Sequence, residues 1–252
     1  MSQGRFCWHD LMTTKPDAGR EFYGALLGWT FTQEDMGEGG PYTMIHDGTE
    51  ATGGIVKMSE DDGLPSHWML YVTVDDCEAA VAKAKSLGGA CHVGPLDIPG
   101  TGRFAVLADD QGAYFSVIAL KNEGAEKGPD ARPANGQFCW YTVAVGDPAK
   151  AKAFYGALFG WECLEMSMGG DAKSEVFKRN GLPIAGIGPL NGAPTAYWST
   201  AIAVDDLDAK HEKAIGLGAT GLMPPMDLGT MGRMSLITDP AGATITLFQW
   251  VG

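Results

Sequence analysis

One stretch of the chain occurs twice, and this internal repeat limits the possible folds more than any other feature. Residues 6–29, FCWHDLMTTKPDAGREFYGALLGW, return at 138–161 as FCWYTVAVGDPAKAKAFYGALFGW, without a gap. Eleven of the 24 paired positions are identical, where chance would give about one or two. A repeat at a fixed offset predicts that the chain is built from two copies of one design.

Each half of the chain shows the pattern of two successive modules, each consisting of a strand, a helix and three strands. The helix predicted over 16–27 begins at a proline, which suits the first helical turn, and stops at Gly28. Alternating apolar residues between turn residues predict the strands. The segments predicted in the first half are strand 6–12, helix 16–27, strands 29–34, 41–46 and 51–58, strand 67–74, helix 77–87, and strands near 90–96, 102–108 and 113–119.

A polar segment separates the two halves. Residues 121–136, KNEGAEKGPDARPANG, lack apolar periodicity and mix charge with glycine and proline, so we expect a linker there. The predicted domains are 1–120, with modules at about 6–58 and 67–120, and 137–252, with modules at about 137–190 and 196–250. Each domain is long enough to bury its own core.

The overall charge restricts the kind of partner. A formal net charge of −13 repels phosphate backbones and anionic lipid, so we expect neither a nucleic acid nor a membrane as partner. No apolar run reaches the length of a membrane span, and no signal peptide is expected. Five cysteines without a CxxC pair are typical of a cytoplasmic protein. We expect a monomer or a homodimer with a small molecule as partner.

The repeated sequence motifs resemble those of the vicinal oxygen chelate superfamily, which includes glyoxalase I, bleomycin-resistance proteins and extradiol dioxygenases. The similarity lies in FYGALLGW and FYGALFGW, in the VDD helix starts at 74–76 and 204–206, and in GRFAVLADDQGAYFSVI with its mate GRMSLITDPAGATITLF. The tandem arrangement is most similar to glyoxalase-like proteins of the mycobacterial 27-kDa antigen type. The resemblance implies an α+β fold of two tandem glyoxalase-like domains, each a pair of βαβββ modules that form an open mixed-sheet barrel.

Catalytic members of that superfamily hold a divalent metal in the pocket of the barrel, with His, Gln or Glu ligands from the first and last strands. The resemblance places these positions on six residues, which are Trp8, Met69 and Ser116 in the first half and Trp140, Ser199 and Thr246 in the second. None of these residues is a usual ligand of a catalytic divalent cation. We therefore predict no metal site and no cofactor, although a divalent metal bound by other residues stays an alternative.

Several side chains near these positions are candidates for the site. Asp10 and His67 are each two residues from a position on the pocket face, so they share that face and could act as an acid–base pair or bind a metal. If the alignment of the first strand with the family is shifted by one residue, His9 takes the pocket-facing position and becomes a further candidate. Otherwise its repeat mate Tyr141 indicates a packing role in the core.

The residues predicted to contact a ligand are mostly aromatic or uncharged. Aromatic walls suit a flat or apolar small molecule. Two arginines belong to this set because their guanidinium groups could face an anionic ligand. Structural ion pairs with Asp97 and Asp227 would also explain why an arginine stands at each position. The predicted ligand-binding residues are Trp8, Met69, Tyr71, Arg103, Ser116, Trp140 and Arg233.

Three functions are compatible with these residues. The leading hypothesis is a protein similar to the bleomycin-resistance branch, which binds a small organic ligand in an aromatic-lined pocket without metal. The first alternative is a metal-dependent lyase, isomerase or dioxygenase with a site in the first domain. The second is a structural or regulatory protein without catalysis. If there is activity, it belongs to the first domain, because Asp10 is replaced by Thr142 in the second.

Overall fold

A computed structural model describes residues 3–35, 40–48, 51–122, 132–169 and 172–251. Most of the predicted linker lies outside these residues, so its boundaries stay a prediction. Within this part of the chain, no helix is long and apolar enough to cross a membrane.

The first half of the chain contains two modules of the predicted order. Its elements are β1 (Phe6–Thr13), α1 (Pro16–Leu27), β2 (Thr30–Asp35), β3 (Pro41–His46), β4 (Ala51–Lys57), β5 (His67–Thr73), α2 (Cys77–Ser86), β6 (Ala90–Ile98), β7 (Gly102–Ala108) and β8 (Tyr114–Leu120). Helix α1 ends because Gly28 adopts a left-handed conformation (φ 76°) and donates its N–H to Gly24 O. Helix α2 begins where the Asp76 carboxylate accepts the N–H of Ala79.

The second half repeats this order. Its elements are β9 (Phe138–Val145), α3 (Pro148–Phe159), β10 (Glu162–Gly169), β11 (Ala172–Arg179), β12 (Leu182–Pro189), β13 (Tyr197–Ala203), α4 (Leu207–Gly216), β14 (Thr220–Asp227), β15 (Gly232–Thr238) and β16 (Thr244–Trp250). The predicted fold class, α+β with two tandem copies of a paired βαβββ module, is confirmed.

Each half of the sequence forms one open, mixed sheet of eight strands. The strand orders are β2-β3-β4-β1-β5-β8-β7-β6 and β10-β11-β12-β9-β13-β16-β15-β14. The first strand of each module pairs in parallel with the last strand of the same module, as in the pairing of Asp10 with Gly54 and of Tyr71 with Ser116. This parallel pairing brings residues from the two ends of a module side by side.

The chain packs into two compact lobes that do not coincide with the two halves of the sequence. Lobe 1 contains the second and third modules, and lobe 2 contains the first and fourth. The division runs through the first strand of every module, between Cys7 and Trp8, Met69 and Leu70, Cys139 and Trp140, and Trp198 and Ser199. Each lobe is therefore assembled from one module of each sequence half.

Hydrogen bonds made by the aromatic residues of the repeated motifs stabilise lobe 1. The Tyr155 hydroxyl donates to Asp109 Oδ2 at 2.8 Å and accepts from Trp198 Nε1 at 2.8 Å. Trp161 Nε1 donates to the carbonyl oxygen of Gly4 at 2.8 Å. Each of these aromatic residues is at least nine-tenths buried, so the hydrogen bonds satisfy polar groups that water does not reach.

Lobe 2 contains the same hydrogen bonds with the roles of the two sequence halves exchanged. The Tyr23 hydroxyl donates to Asp239 Oδ2 at 2.7 Å and accepts from Trp68 Nε1 at 3.1 Å. Trp29 Nε1 donates to the carbonyl oxygen of Gly136 at 2.8 Å. The tyrosine of each motif therefore donates to an aspartate from the other sequence half, and the tryptophan donates to a glycine just before the first strand of the other half.

Candidate functional site

A hydrogen-bonded group of three side chains lies at the first of the predicted pocket positions, in lobe 2. Trp8 Nε1 lies 3.1 Å from Asp10 Oδ1 and 2.7 Å from the Tyr42 hydroxyl, which donates to Asp10 Oδ1 at 2.6 Å. Asp10 is only 4% exposed. The two donors compensate the burial of its carboxylate. Together they hold the partly exposed indole of Trp8 in a fixed orientation.

Gly54 provides the space for this group. Gly54 pairs with Asp10 on one side and with Met44 on the other. A Cβ atom at position 54 would overlap the hydroxyl end of Tyr42. Glycine is thus required where an aromatic side chain crosses the strand closely.

The corresponding place in the second half, which lies in lobe 1, has different chemistry. Ser174 stands at the position of Tyr42, and Thr142 at the position of Asp10. Trp140 is retained, but a Cβ atom at Gly186 would lie an ordinary 3.4 Å from its Nε1. The tyrosine–aspartate pair therefore belongs to the first half alone.

The difference between these two glycines gives a matched test of the group. We expect Gly54→Ala to displace Tyr42 and to lower the free energy of unfolding by about 2 kcal/mol, because Asp10 loses a donor while staying buried. Gly186→Ala should change the stability by less than about 0.5 kcal/mol. Urea unfolding of both variants provides the measurement. Tyr42→Ala combined with Gly54→Ala should cost little more than Tyr42→Ala alone, and an additive loss would show that the overlap is not the cause.

His9 is buried on the other face of β1. Its ring stacks on Phe138 with centroids 3.7 Å apart, and Nδ1 lies 3.0 Å from the carbonyl oxygen of Thr52. Burial lowers the pKa of His9 to about 4. Its repeat mate Tyr141 stacks on Phe6 in the same way in lobe 1, at 3.8 Å. This geometry is that of an aromatic packing residue.

The second predicted acid–base residue, His67, is the first residue of β5. Its Nδ1 lies 2.8 Å from the carbonyl oxygen of Pro65, which fixes the ring against the preceding turn. Met69, two residues further along the strand, is 7% exposed. Of the predicted site residues, the structure brings together Trp8 and Asp10 on β1, and Tyr71 and Ser116 across β5 and β8.

The two predicted arginines form ion pairs with the helix that precedes them. Arg103 lies 2.5 Å from Glu78 at the start of α2 and 3.0 Å from Asp97. Arg233 makes two hydrogen bonds to Asp208 at the start of α4, at 2.6 and 3.0 Å. Asp208 is thus the hydrogen-bonded partner of Arg233, while Asp227, which the sequence suggested, pairs with it across the strands and adds a smaller electrostatic attraction. These pairs tie β7 and β15 to their helices.

The side chains at the six metal positions implied by the resemblance do not fit a catalytic divalent cation. They supply two indoles, a thioether and three hydroxyls, whereas such a cation prefers imidazole and carboxylate. Across the described ranges, no group of three or more His, Cys, Asp or Glu side chains could hold a metal ion.

Comparison with known proteins defines the family. Residues 137–247 match the model of the glyoxalase/bleomycin resistance protein/dioxygenase superfamily, and residues 8–118 match that of a glyoxalase-like domain. The chain therefore belongs to the glyoxalase superfamily and contains two of its domains in tandem.

The chain is also similar to individual proteins. The chain is 29% identical to the anthracycline biosynthesis protein DauV of Streptomyces sp. (strain C5), over 98% of this chain and 93% of that protein. It is 42% identical to the putative glyoxylase CFP32 of Mycobacterium bovis, over 46% of this chain and 44% of that protein. A solved Mn(II)-bound glyoxalase from Novosphingobium aromaticivorans has the same fold, with a TM-score of 0.67 and 15% identity over 99% of this chain and 83% of that one.

Proposed function

We propose that the protein binds a flat organic molecule on the sheet face that carries Trp8, without a metal ion. The observation that carries this proposal is the indole of Trp8, which Asp10 and Tyr42 hold in place by hydrogen bonds of 3.1 and 2.7 Å. A fixed, partly exposed aromatic plane loses little entropy when a second ring stacks on it.

The similarity to an anthracycline biosynthesis protein over 98% of this chain supports the same ligand class. Anthracyclines contain a flat system of fused rings, which is the shape that an indole plane accommodates. The polar side chains beside Trp8 suit a ring system that carries hydroxyl or carbonyl groups. We therefore propose a fused-ring aromatic compound with oxygen substituents as the ligand.

Equilibrium dialysis against an anthracycline tests this function. The wild-type protein should bind saturably after treatment with EDTA, and Trp8→Leu should weaken binding by about tenfold or more, since stacking and apolar contact are lost. Trp140→Leu is the matched control, because it removes the repeat mate that lacks the tyrosine–aspartate pair. Equal losses in both variants would contradict a site at Trp8. No saturable binding of aromatic compounds would favour a protein with a structural or regulatory role.

The alternative of a metal-dependent enzyme is tested separately. Elemental analysis of the purified protein should find no stoichiometric divalent ion if the proposal is correct. A stoichiometric ion that disappears in the Asp10→Ala, His67→Ala double variant would overturn it and favour a lyase, isomerase or dioxygenase in the first domain.

A further inference from the structure

Two serines of the described chain have buried hydroxyl groups without a hydrogen-bond partner. They are Ser116 on β8 and Ser235 on β15, both 0% exposed. Hydroxyl groups inside proteins are usually paired, because water no longer compensates them. Each of these two therefore needs an explanation.

The two serines lie on different faces of their sheets. Phe115 and Val117, the neighbours of Ser116, are both in the core of lobe 1. Because successive side chains in a strand point to opposite faces, Ser116 lies on the face away from that core. Ser235 is two residues from Ile237, which is in the core of lobe 2, so Ser235 shares the core face.

The surroundings of Ser116 are aromatic and aliphatic. Its neighbours in the sheet are Tyr71 on β5 and Val106 on β7. The Tyr71 ring lies 6.2 Å from the ring of Phe104, which is partly exposed. These neighbours are uncharged, so a hydroxyl among them can recognise one polar atom on an otherwise apolar molecule.

We propose that Ser116 is a hydrogen-bonding anchor for an aromatic ligand in lobe 1, and that it contacts a hydroxyl or carbonyl oxygen of that ligand. Tyr71 and Phe104 form the apolar surface beside it, and one of these rings turns aside to admit the ligand, as side chains at binding sites commonly do. The ligand class rests on the proposed function, but the contact is independent of Trp8. The chemistry required is a flat ring that carries at least one oxygen substituent.

A pair of probes that differ only in one hydroxyl tests this anchor. We expect the wild-type protein to bind 2-naphthol more tightly than naphthalene by about tenfold, because only 2-naphthol gives the unpaired hydroxyl of Ser116 a hydrogen-bond partner. Ser116→Ala should reduce this ratio to about one. Ser235→Ala is the matched control and should keep the wild-type ratio, since its hydroxyl lies in the core. Thermal melting confirms that both variants are folded.

The outcomes separate the two proposals. If Ser116→Ala keeps the wild-type ratio, Ser116 is not the anchor, while ring binding and the proposed function stand. If the wild-type protein binds both probes equally, the anchor is likewise wrong. If it binds neither probe, the anchor fails, and the dialysis against an anthracycline decides separately whether the proposed function stands.

Discussion

Replacing Asp109 with alanine is expected to lower the free energy of unfolding by about 3 kcal/mol or more. Asp109 Oδ2 accepts the hydroxyl of Tyr155, and Oδ1 accepts the backbone N–H groups of Gln111 and Ala113 at 2.9 and 2.8 Å. Tyr155 is fully buried. Removal of the carboxylate leaves these donors unpaired within lobe 1, where no other acceptor replaces it in the described contacts.

The neighbouring residue is a close control for this experiment. Asp110 belongs to the same turn and has the same charge, but its Oδ1 is buried without a hydrogen-bond partner. Burial raises the pKa of Asp110. We expect Asp110→Ala to change the stability by less than about 1 kcal/mol. Urea unfolding at pH 7 compares the variants, and similar losses would mean that net charge, rather than the bond to Tyr155, explains the effect.

Acid is expected to destabilise the protein through His9. Burial lowers its pKa from an ordinary 6.5 to about 4, so the folded protein favours the neutral ring. The neutral His9 ring makes its full contribution to the free energy of unfolding above pH 6.5. This contribution is lost as the pH falls toward 4, because His9 in the unfolded chain binds a proton at a higher pH than His9 in the folded protein. The full difference corresponds to about 3 kcal/mol.

The variant His9→Phe isolates this contribution. It keeps an aromatic ring against Phe138 but cannot bind a proton, so between pH 8 and 4.5 it should lose about 2.5 kcal/mol less stability than the wild-type protein. Tyr141→Phe changes the repeat mate and should retain the wild-type pH dependence. Urea unfolding at the two pH values measures the difference. Parallel losses in wild-type and His9→Phe would show that other groups cause the acid sensitivity.

The sequence predicts the elements of this fold well because their ends are marked by local chemistry. Pro16 and Gly28 define α1, and the observed helix Pro16–Leu27 agrees with the predicted range. The pairing of modules within the lobes could not be predicted. Asp109 and Asp239 stand in equivalent turns, so Tyr23 could in principle bind either, and the modules carry no local signal that favours one of them.

The candidate site was predictable where it depends on strand alternation. Trp8 and Asp10 are two residues apart on one strand, and they are in contact. The sequence does not indicate Tyr42, because this residue lies 32 positions beyond Asp10 and reaches it only across a glycine. Gly53 and Gly54 inside a predicted strand were the available signal, since such glycines often mark the close approach of another group. Ser116 was predicted from the resemblance, but its unpaired hydroxyl required a structure.

The construction of each lobe from both sequence halves also restricts how such a chain can evolve. Tyr23 depends on Asp239, which is 216 positions away, and Tyr155 depends on Asp109 in the other copy. A change in the aromatic motif of one copy therefore leaves a buried hydrogen-bonding group unpaired in the other copy. Residues at positions such as 10 and 42 can change independently in the two copies, because they take no part in these hydrogen bonds between the sequence halves. A new specificity can therefore arise in one copy while the other continues to support its fold.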